Sequence, residues 1–384
     1  MTNRKLLVVA SAIAIAVVAF LVLSNRPTKG TQFKLAANLP LTGDLAVYGV
    51  SVRRGAELAL DDLRDQDPTH NKIVIDWQDN ASEPKTAVAV MQRQLASNPD
   101  LYTSGVRPQT MAIWDQVAAA QVPHFVWIFE RIINPGSQQR NNIRTWVNLK
   151  DEARVYLSHV DELKPKRVAI LHTQAPSYQD EFDVDVIPGL KQRGIEYFRE
   201  TYPFEGADYR SLVAKIQQFK PDLVILGGWQ SHLVGLVRAM RPAGLISNGN
   251  VITTYDLLDA AEVLGKDEIE GVCFVAPTFL TRSNDPKVVS WTAKFERKYR
   301  VSPLYTDAYA YDMLRVVHAA IEKLPQNPTQ GNWIDCIRST KIDGVTGKIE
   351  FDDDGSLVAE VEVAIFRDGN VVPLMNELSV GAAK

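Results

Sequence analysis

Residues 35–63 read LAANLPLTGDLAVYGVSVRRGAELALDDL. The apolar run that begins at Phe33 stops at Pro40, and Gly43 and Gly49 then allow a tight turn. From Val50 to Arg64 apolar residues recur three and four apart. The pattern is a strand, a turn and an amphipathic helix, which is the opening of a βα unit. The helix that follows Tyr48 would offer free backbone N–H groups to an anionic or polar group.

Outward from this stretch the same alternation recurs. Short apolar runs read as strands at 72–77, 100–106, 124–129, 145–149 (TWVNL), 167–173, 196–202, 223–228, 250–255 and 271–277. Helical spacing fills most of the gaps, as over Pro84 to Ala96, Ala153 to Leu163, Tyr209 to Phe219 and His232 to Met240. Parallel strands with right-handed crossovers follow, so the expected fold class is α/β with doubly wound parallel sheets. Proline and glycine mark the joints in KPKR, KPDL and RPAG. Near the end, GKIEFDDDGSLVAEVEVAIF (347–366) departs from the rhythm and reads as two strands around a DDG turn.

The 384 residues carry 42 basic and 46 acidic side chains, a net charge of −4, which argues against a nucleic-acid partner. With 46% hydrophobic and 23% charged residues the chain is of ordinary globular composition, long enough for two domains. Cys273 and Cys336 are far apart among apolar neighbours and give no disulfide framework. The first thirty residues stand outside the globular part. Leu6 to Leu23 is apolar except for Ser11 and follows Arg4 and Lys5. This 18-residue run lies at the short end of what spans a bilayer, about 17 to 25 residues, and at the long end for a cleaved signal core. Both readings mean export. No A-x-A ends the run, so residues 1–30 are read as a signal anchor or a signal peptide, with the protein periplasmic or otherwise extracytoplasmic and held at the cytoplasmic membrane by this segment.

The search for chemistry returns mostly exclusions. His70, His124, His159, His172, His232 and His318 include no pair at helical ligand spacing and there is no C-x-x-C, so no metal site is expected. G-x-G-x-x-G after the first strand, G-x-x-x-x-G-K-[ST] and G-x-S-x-G are all missing, so no cofactor and no catalytic residue is assigned. Asp352, Asp353 and Asp354 lack the alternating ligands of a calcium loop and read as a solvated turn. An enzyme stays open only as a weaker reading, in which Glu130, Asp180 and Glu181 would have to meet near a substrate.

Open α/β sheets hold ligands at the carboxyl ends of their strands. Those ends carry Tyr48; Arg107, Gln109 and Thr110; Trp127, Phe129 and Glu130; Tyr178; Trp229; and Tyr255 with Asp256. Taken singly, an aromatic there is more often packing, and Asp256 before LLDAAEVL fits a helix N-cap. Trp229 follows the glycine pair Gly227 and Gly228, so its ring is expected at the strand end, facing a cleft.

The stretch 35–63 resembles the opening of the solute-binding proteins of branched-chain amino-acid ABC transporters, which have the type I periplasmic binding fold. The resemblance continues through 72–97, RVAILHTQAPSYQDEF (167–182), 209–245 and VTGKIEFDDDGSL (345–357). It implies two α/β lobes joined by three crossovers and closing over a small ligand. Lobe one would comprise 31–147 and 280–354, and lobe two 148–279 and 355–384. It implies a binder, not an enzyme, that delivers its ligand to an ABC permease; a membrane-anchored sensor of the same fold is the alternative. Carried onto this chain, it puts Tyr48 in the cleft, Gln109 and Thr110 where the family usually grips a carboxylate, and Tyr178 and Trp229 as second-lobe aromatics. The ammonium-binding acid would fall at Tyr255 or Asp256. Ile128 and Glu130 stand where amino-acid binders present a small residue and a hydroxyl, and Glu130 would repel an anion unless Arg107 neutralises it. The ligand class therefore stays open among amino acids, amides, aromatic acids and cationic compounds.

Overall fold

A computed structural model describes residues 32–66, 73–128, 140–282 and 284–374. The apolar run Leu6 to Leu23 and Glu130 lie outside the described residues. Among the described residues no helix is long and apolar enough to cross a membrane.

Two sheets organise the chain. The first has five parallel strands in the order β2-β1-β3-β4-β5, with β1 Phe33–Leu39, β2 Ile73–Asp79, β3 Leu101–Gly105, β4 His124–Trp127 and β5 Asn142–Arg144. The second has seven, ordered β14-β13-β10-β9-β8-β6-β7. Its parallel part comprises β6 Arg167–Thr173, β7 Glu196–Tyr202, β8 Leu223–Gly227, β9 Val251–Thr253 and β10 Cys273–Pro277. Read from β7, it repeats the order of the first sheet. Each sheet therefore has a topological switch point, between β1 and β3 and between β6 and β8, where doubly wound folds open a ligand crevice.

Side-chain alternation buries both faces. Leu35 and Ala37 pack toward α1 (Ala46–Gln66), whereas Ala36 and Tyr102 face α2 (Pro84–Ala96) and α3 (Arg107–Ala119). In the second sheet Val168, Ile170 and Ile225 face α4 (Leu149–Leu163) and α5 (Pro176–Glu181, continued by a π turn over Phe182–Val186 and then Ile187–Gln192). Ala169, Leu171 and Leu226 face α6 (Tyr209–Phe219) and α7 (Gln230–Met240). Such two-sided burial is what near-continuous apolar strands require.

The chain passes between the sheets three times. It leaves the first after Arg144, returns after Pro277 to build α9 (Pro286–Tyr299) and α10 (Tyr305–Ile321), and leaves again after Ile349; α8 is the short helix Leu257–Ala261. The passages are tied together: Arg144 bridges Ser356, and the Thr278 N–H donates to the Glu360 carbonyl at 3.0 Å. The protein is thus two doubly wound lobes joined by a three-crossover hinge.

Two expectations are corrected. TWVNL is not a strand; the strand ends at Arg144, and Asn148 caps α4, its Oδ1 accepting from the Lys150 N–H at 2.9 Å while Asp151 Oδ2 accepts from the Asn148 N–H at 3.2 Å. A capping box overrides the β-propensity of the three residues before it. The DDG turn does form, with Phe351 and Leu357 bridged antiparallel, but the flanking segments do not pair as one hairpin. Lys348–Ile349 pairs with Ile342–Asp343, and β13 (Val361–Arg367) crosses to the second sheet, antiparallel to β10 and paired with β14 (Asn370–Pro373).

Candidate functional site

At the first switch point the turn after β1 is strapped by Asp79. Its carboxylate accepts from the N–H groups of Leu41 (2.8 Å), Thr42 (3.1 Å) and Ala81 (2.8 Å) and from the Thr42 hydroxyl (2.6 Å). Gly43 has φ +85°, and an added Cβ would meet the Ser82 Oγ at 2.7 Å. Gly49 serves close approach instead: it lies inside α1, where a Cβ would come within 2.1 Å of the Pro40 carbonyl oxygen. Half-buried Tyr48 stands in the first turn of α1. Burial raises the Tyr48 hydroxyl pKa, and Asp256 and Asp259 of the other lobe raise it further, so Tyr48 looks across the gap between the lobes.

β3 leads into α3 through Val106, a β-branched residue at φ +65°, ψ 136°. Strain of this kind costs about 1–3 kcal/mol and gathers at ligand sites. Arg107 is exposed at the helix start. Gln109 and Thr110 are buried and engaged inside the lobe: the Gln109 amide donates to the Ser82 carbonyl, and Thr110 Oγ1 lies 2.9 Å from Ser104 Oγ, which reaches His124 Nε2 at 2.8 Å. Burial pushes the His124 pKa down to about 3, so the ring is neutral near neutrality. Ile128 packs with Trp114 and Val126 of its own lobe.

Trp127 begins a chain of rings that spans the two sheets. Its Nε1 donates to Thr103 Oγ1 at 2.9 Å, and its ring meets Trp146 at 6.1 Å. Trp146, whose Nε1 donates to the Ile128 carbonyl, stacks on Tyr305 at 6.0 Å; Tyr305 meets Tyr255 edge-on at 5.1 Å. Tyr255 ends the second lobe's β9 segment, and all four rings are buried.

Beside Tyr255 stands Asp256. It occupies the first position before α8 but makes no side-chain cap, with φ −61° and ψ −9°; that expectation is corrected. Its Oδ2 accepts from the Thr254 hydroxyl at 3.1 Å, and Tyr178 donates to it as well. Burial, with Asp259 adding to it, pushes the Asp256 pKa up to about 7; these two donors only partly offset the rise. Tyr178 meets Trp229 edge-on at 5.3 Å, and Trp229 is half-buried against Phe204 and His232. The glycine pair before Trp229 is closed by its own lobe, a Cβ on Gly228 falling 2.4 Å from the Tyr202 hydroxyl.

Tyr48, Trp127, Tyr178, Trp229, Tyr255 and Asp256 thus form one connected set, whereas Gln109, Thr110 and Ile128 bond or pack within lobe one. Sequence reasoning missed Trp146, Tyr305, Tyr156 and Glu152, and placed Glu181 in a different cluster. Glu152 and Tyr156 stand four apart and Tyr178 and Glu181 three apart in helices, a spacing that was readable in advance. Glu152 is buried and its pKa lies well above the ordinary value, first through burial and then through Glu181 and Asp256. Among the described residues no three His, Cys, Asp or Glu side chains come together closely enough to hold a metal ion. A buried acid ringed by tyrosines suits an organic cation, which can find both charge and ring faces there.

Comparison with known proteins agrees with the two-lobe architecture. The chain is 25% identical over 353 residues to the Leu/Ile/Val-binding protein BraC3 of Rhizobium johnstonii, covering 88% of this chain and 92% of that one. In structure it is similar to LivJ, the branched-chain amino acid transporter substrate binding protein of Streptococcus pneumoniae, in complex with isoleucine: TM-score 0.72, 19% identity, 89% of this chain and 98% of that chain. It is equally similar to an ABC transporter solute binding protein of R. palustris in complex with benzoate, with TM-score 0.72, 15% identity, 89% of this chain and 95% of that chain. The model of the family described as periplasmic binding protein matches residues 32–370, and with two lobes of one strand order, the chain belongs to that family.

Proposed function

We propose that this protein captures a small ligand bearing an ammonium group between its lobes, outside the cytoplasm, and delivers it to an ABC permease. The lobes would be 31–147 with 280–354 and 148–279 with 355–384. Asp256 carries the reading: a buried carboxyl at the second lobe's strand ends, donated to by Thr254 and Tyr178 and faced by Tyr48. A cationic nitrogen placed there supplies the counter-charge that burial denies, and the rings of Tyr255 and Tyr305 pack against the ligand's carbon skeleton. Relatives that hold isoleucine and benzoate leave the class between amino acids and related compounds; the buried acid favours the amine.

The test is a thermal-shift screen of amino acids, amines, amides and aromatic acids, followed by calorimetric titration. A ligand at about 100 times its Kd stabilises by roughly 2.7 kcal/mol. The expected hit carries a cationic nitrogen and loses affinity in Asp256→Asn; a hit restricted to anions would overturn the reading. The apolar run Leu6–Leu23, without an A-x-A end, favours a second reading in which the anchored protein acts as a sensor. Genes for a permease beside its own would speak for transport, and genes for a membrane signalling protein for the sensor.

A further inference from the structure

Phe204 is 62% exposed and, among the described residues, the one aromatic ring among the exposed large apolar side chains. It is nonetheless held in place. It stands in the turn after β7, where its carbonyl accepts from His232 Nε2 at 2.8 Å, while His232 Nδ1 accepts from the Trp229 N–H at 3.3 Å. A carbonyl only accepts and a backbone N–H only donates, so these two bonds place the imidazole proton on Nε2. His232 is itself 2% exposed and packs edge-on against Tyr202 at 5.5 Å. One buried imidazole therefore staples the turn after β7 to the start of α7, and two aromatic residues are positioned by it.

Their rings make a corner. Phe204 meets Trp229 at 5.4 Å with 62° between their planes, and His232 closes it from behind, 5.2 Å from Phe204 and 5.8 Å from Trp229. A third ring entering such a corner can stack on one wall and turn its edge to the other, the two arrangements that aromatic pairs prefer. A saturated group of equal size gains burial alone. Because the walls are held before anything arrives, little ordering remains to be done on binding.

The corner adjoins the candidate site. Trp229 meets Tyr178 edge-on at 5.3 Å, and the Tyr178 hydroxyl donates to Asp256. Gln230, next to Trp229, donates from Nε2 to the Asp259 carbonyl at 2.8 Å, and Asp259 with Asp256 acts on Tyr48 across the gap. The buried acid and the aromatic corner thus share the side of lobe two that faces lobe one, with the Tyr178 ring between them.

We propose that Phe204 and Trp229 form an aryl subsite at the outer end of the cleft, so that the ligand carries an aromatic ring joined by a short carbon chain to its ammonium group. The inference rests on the reading that Asp256 takes the ammonium; it adds the ring and gives Phe204 a part in selecting it.

Calorimetric titration with two matched pairs, 2-phenylethylamine against 2-cyclohexylethylamine and L-phenylalanine against L-cyclohexylalanine, tests this, with phenylacetate as the aryl compound that lacks an ammonium. In at least one pair the aryl member is expected to bind more than about fivefold tighter. In Phe204→Ala that preference should shrink below about twofold, while the melting temperature of the ligand-free protein holds because the ring lies mostly in water. Equal measured affinities within both pairs, a preference that Phe204→Ala retains, or no binding of any aryl compound overturns the inference. The reading of Asp256 fails separately: if phenylacetate binds in place of the amines, weakened by Phe204→Ala and untouched by Asp256→Asn, the aryl subsite stands and the ammonium is removed from Asp256.

Discussion

Asp79 and Asp256 are the same residue type at the same kind of place, the carboxyl end of a parallel strand, one in each lobe. Burial acts upward on both pKa values. At Asp79 the Thr42 hydroxyl and three backbone N–H groups outweigh it and hold the carboxyl below its ordinary range. At Asp256 burial wins, because two donors face deeper desolvation and a second carboxyl, Asp259. The difference shows what separates a strut from a receptor. A carboxylate saturated by its own backbone shapes a loop, whereas one left short of donors can still gain energy from something that arrives.

Replacing each aspartate should therefore have opposite consequences. Asp256→Asn is expected to weaken ligand binding more than about 100-fold, roughly 2.7 kcal/mol, without lowering the melting temperature of the ligand-free protein. Calorimetry and melting measure the two effects, and a variant that binds normally would erase the contrast. Asp79→Ala should do the reverse. It strands four donors of a partly exposed turn and is expected to cost about 1–2 kcal/mol in urea unfolding, with a smaller change in affinity.

Trp229 tests how far the receptor side extends. Half-buried on Tyr178, whose hydroxyl donates to Asp256, it should lose about tenfold in affinity, near 1.4 kcal/mol, when changed to alanine. The ligand-free stability should fall by less than the roughly 3–5 kcal/mol that a fully buried ring costs. The smallest effect is on pH dependence. The Asp256 pKa of about 7 is raised in the folded chain, so its contribution to stability is complete below the unfolded value of about 3.9 and is lost as pH rises through about 7. Glu152, also raised, acts in the same direction. Melting of the ligand-free protein should decline between about pH 4 and pH 7, and Asp256→Asn should flatten that slope; a slope identical in both proteins would separate Asp256 from it.

Local rhythm carried most of the architecture. The stretches read as FKLAANL, RVAILHT and EYFRETY are the observed β1, β6 and β7, and the helices at Pro84–Ala96 and Tyr209–Phe219 coincide with their spacing, because each buries its faces within its own lobe. Where tertiary pairing decides, local reading failed. Val361–Arg367 takes its partner from a strand almost ninety residues earlier, and nothing within its own window names that strand. The candidate site divides likewise. Tyr48, Tyr178, Trp229 and Asp256 sit at strand ends and are legible there. Trp146 lies in the first passage between the lobes and Tyr305 opens α10, and the two meet only through the fold. Asp256 was located correctly before α8, but its capping role was not, since a cap needs free N–H groups within reach and its oxygen turns to Thr254 and Tyr178 instead.

The third passage between the lobes is hydrogen-bonded to both of the others, through Arg144 with Gly355 and Leu357 and through Thr278 with Glu360. A single tether would let two bodies twist, slide and swing, whereas three laced straps leave bending as the one soft motion. Any opening and closing would then retrace a fixed arc, and the residues of each rim would return to the same opposite number. Cutting the middle strap, by a backbone nick between Phe351 and Glu360, should release the forbidden twists first and unfold neither lobe, turning a calibrated jaw into a loose pair of shells.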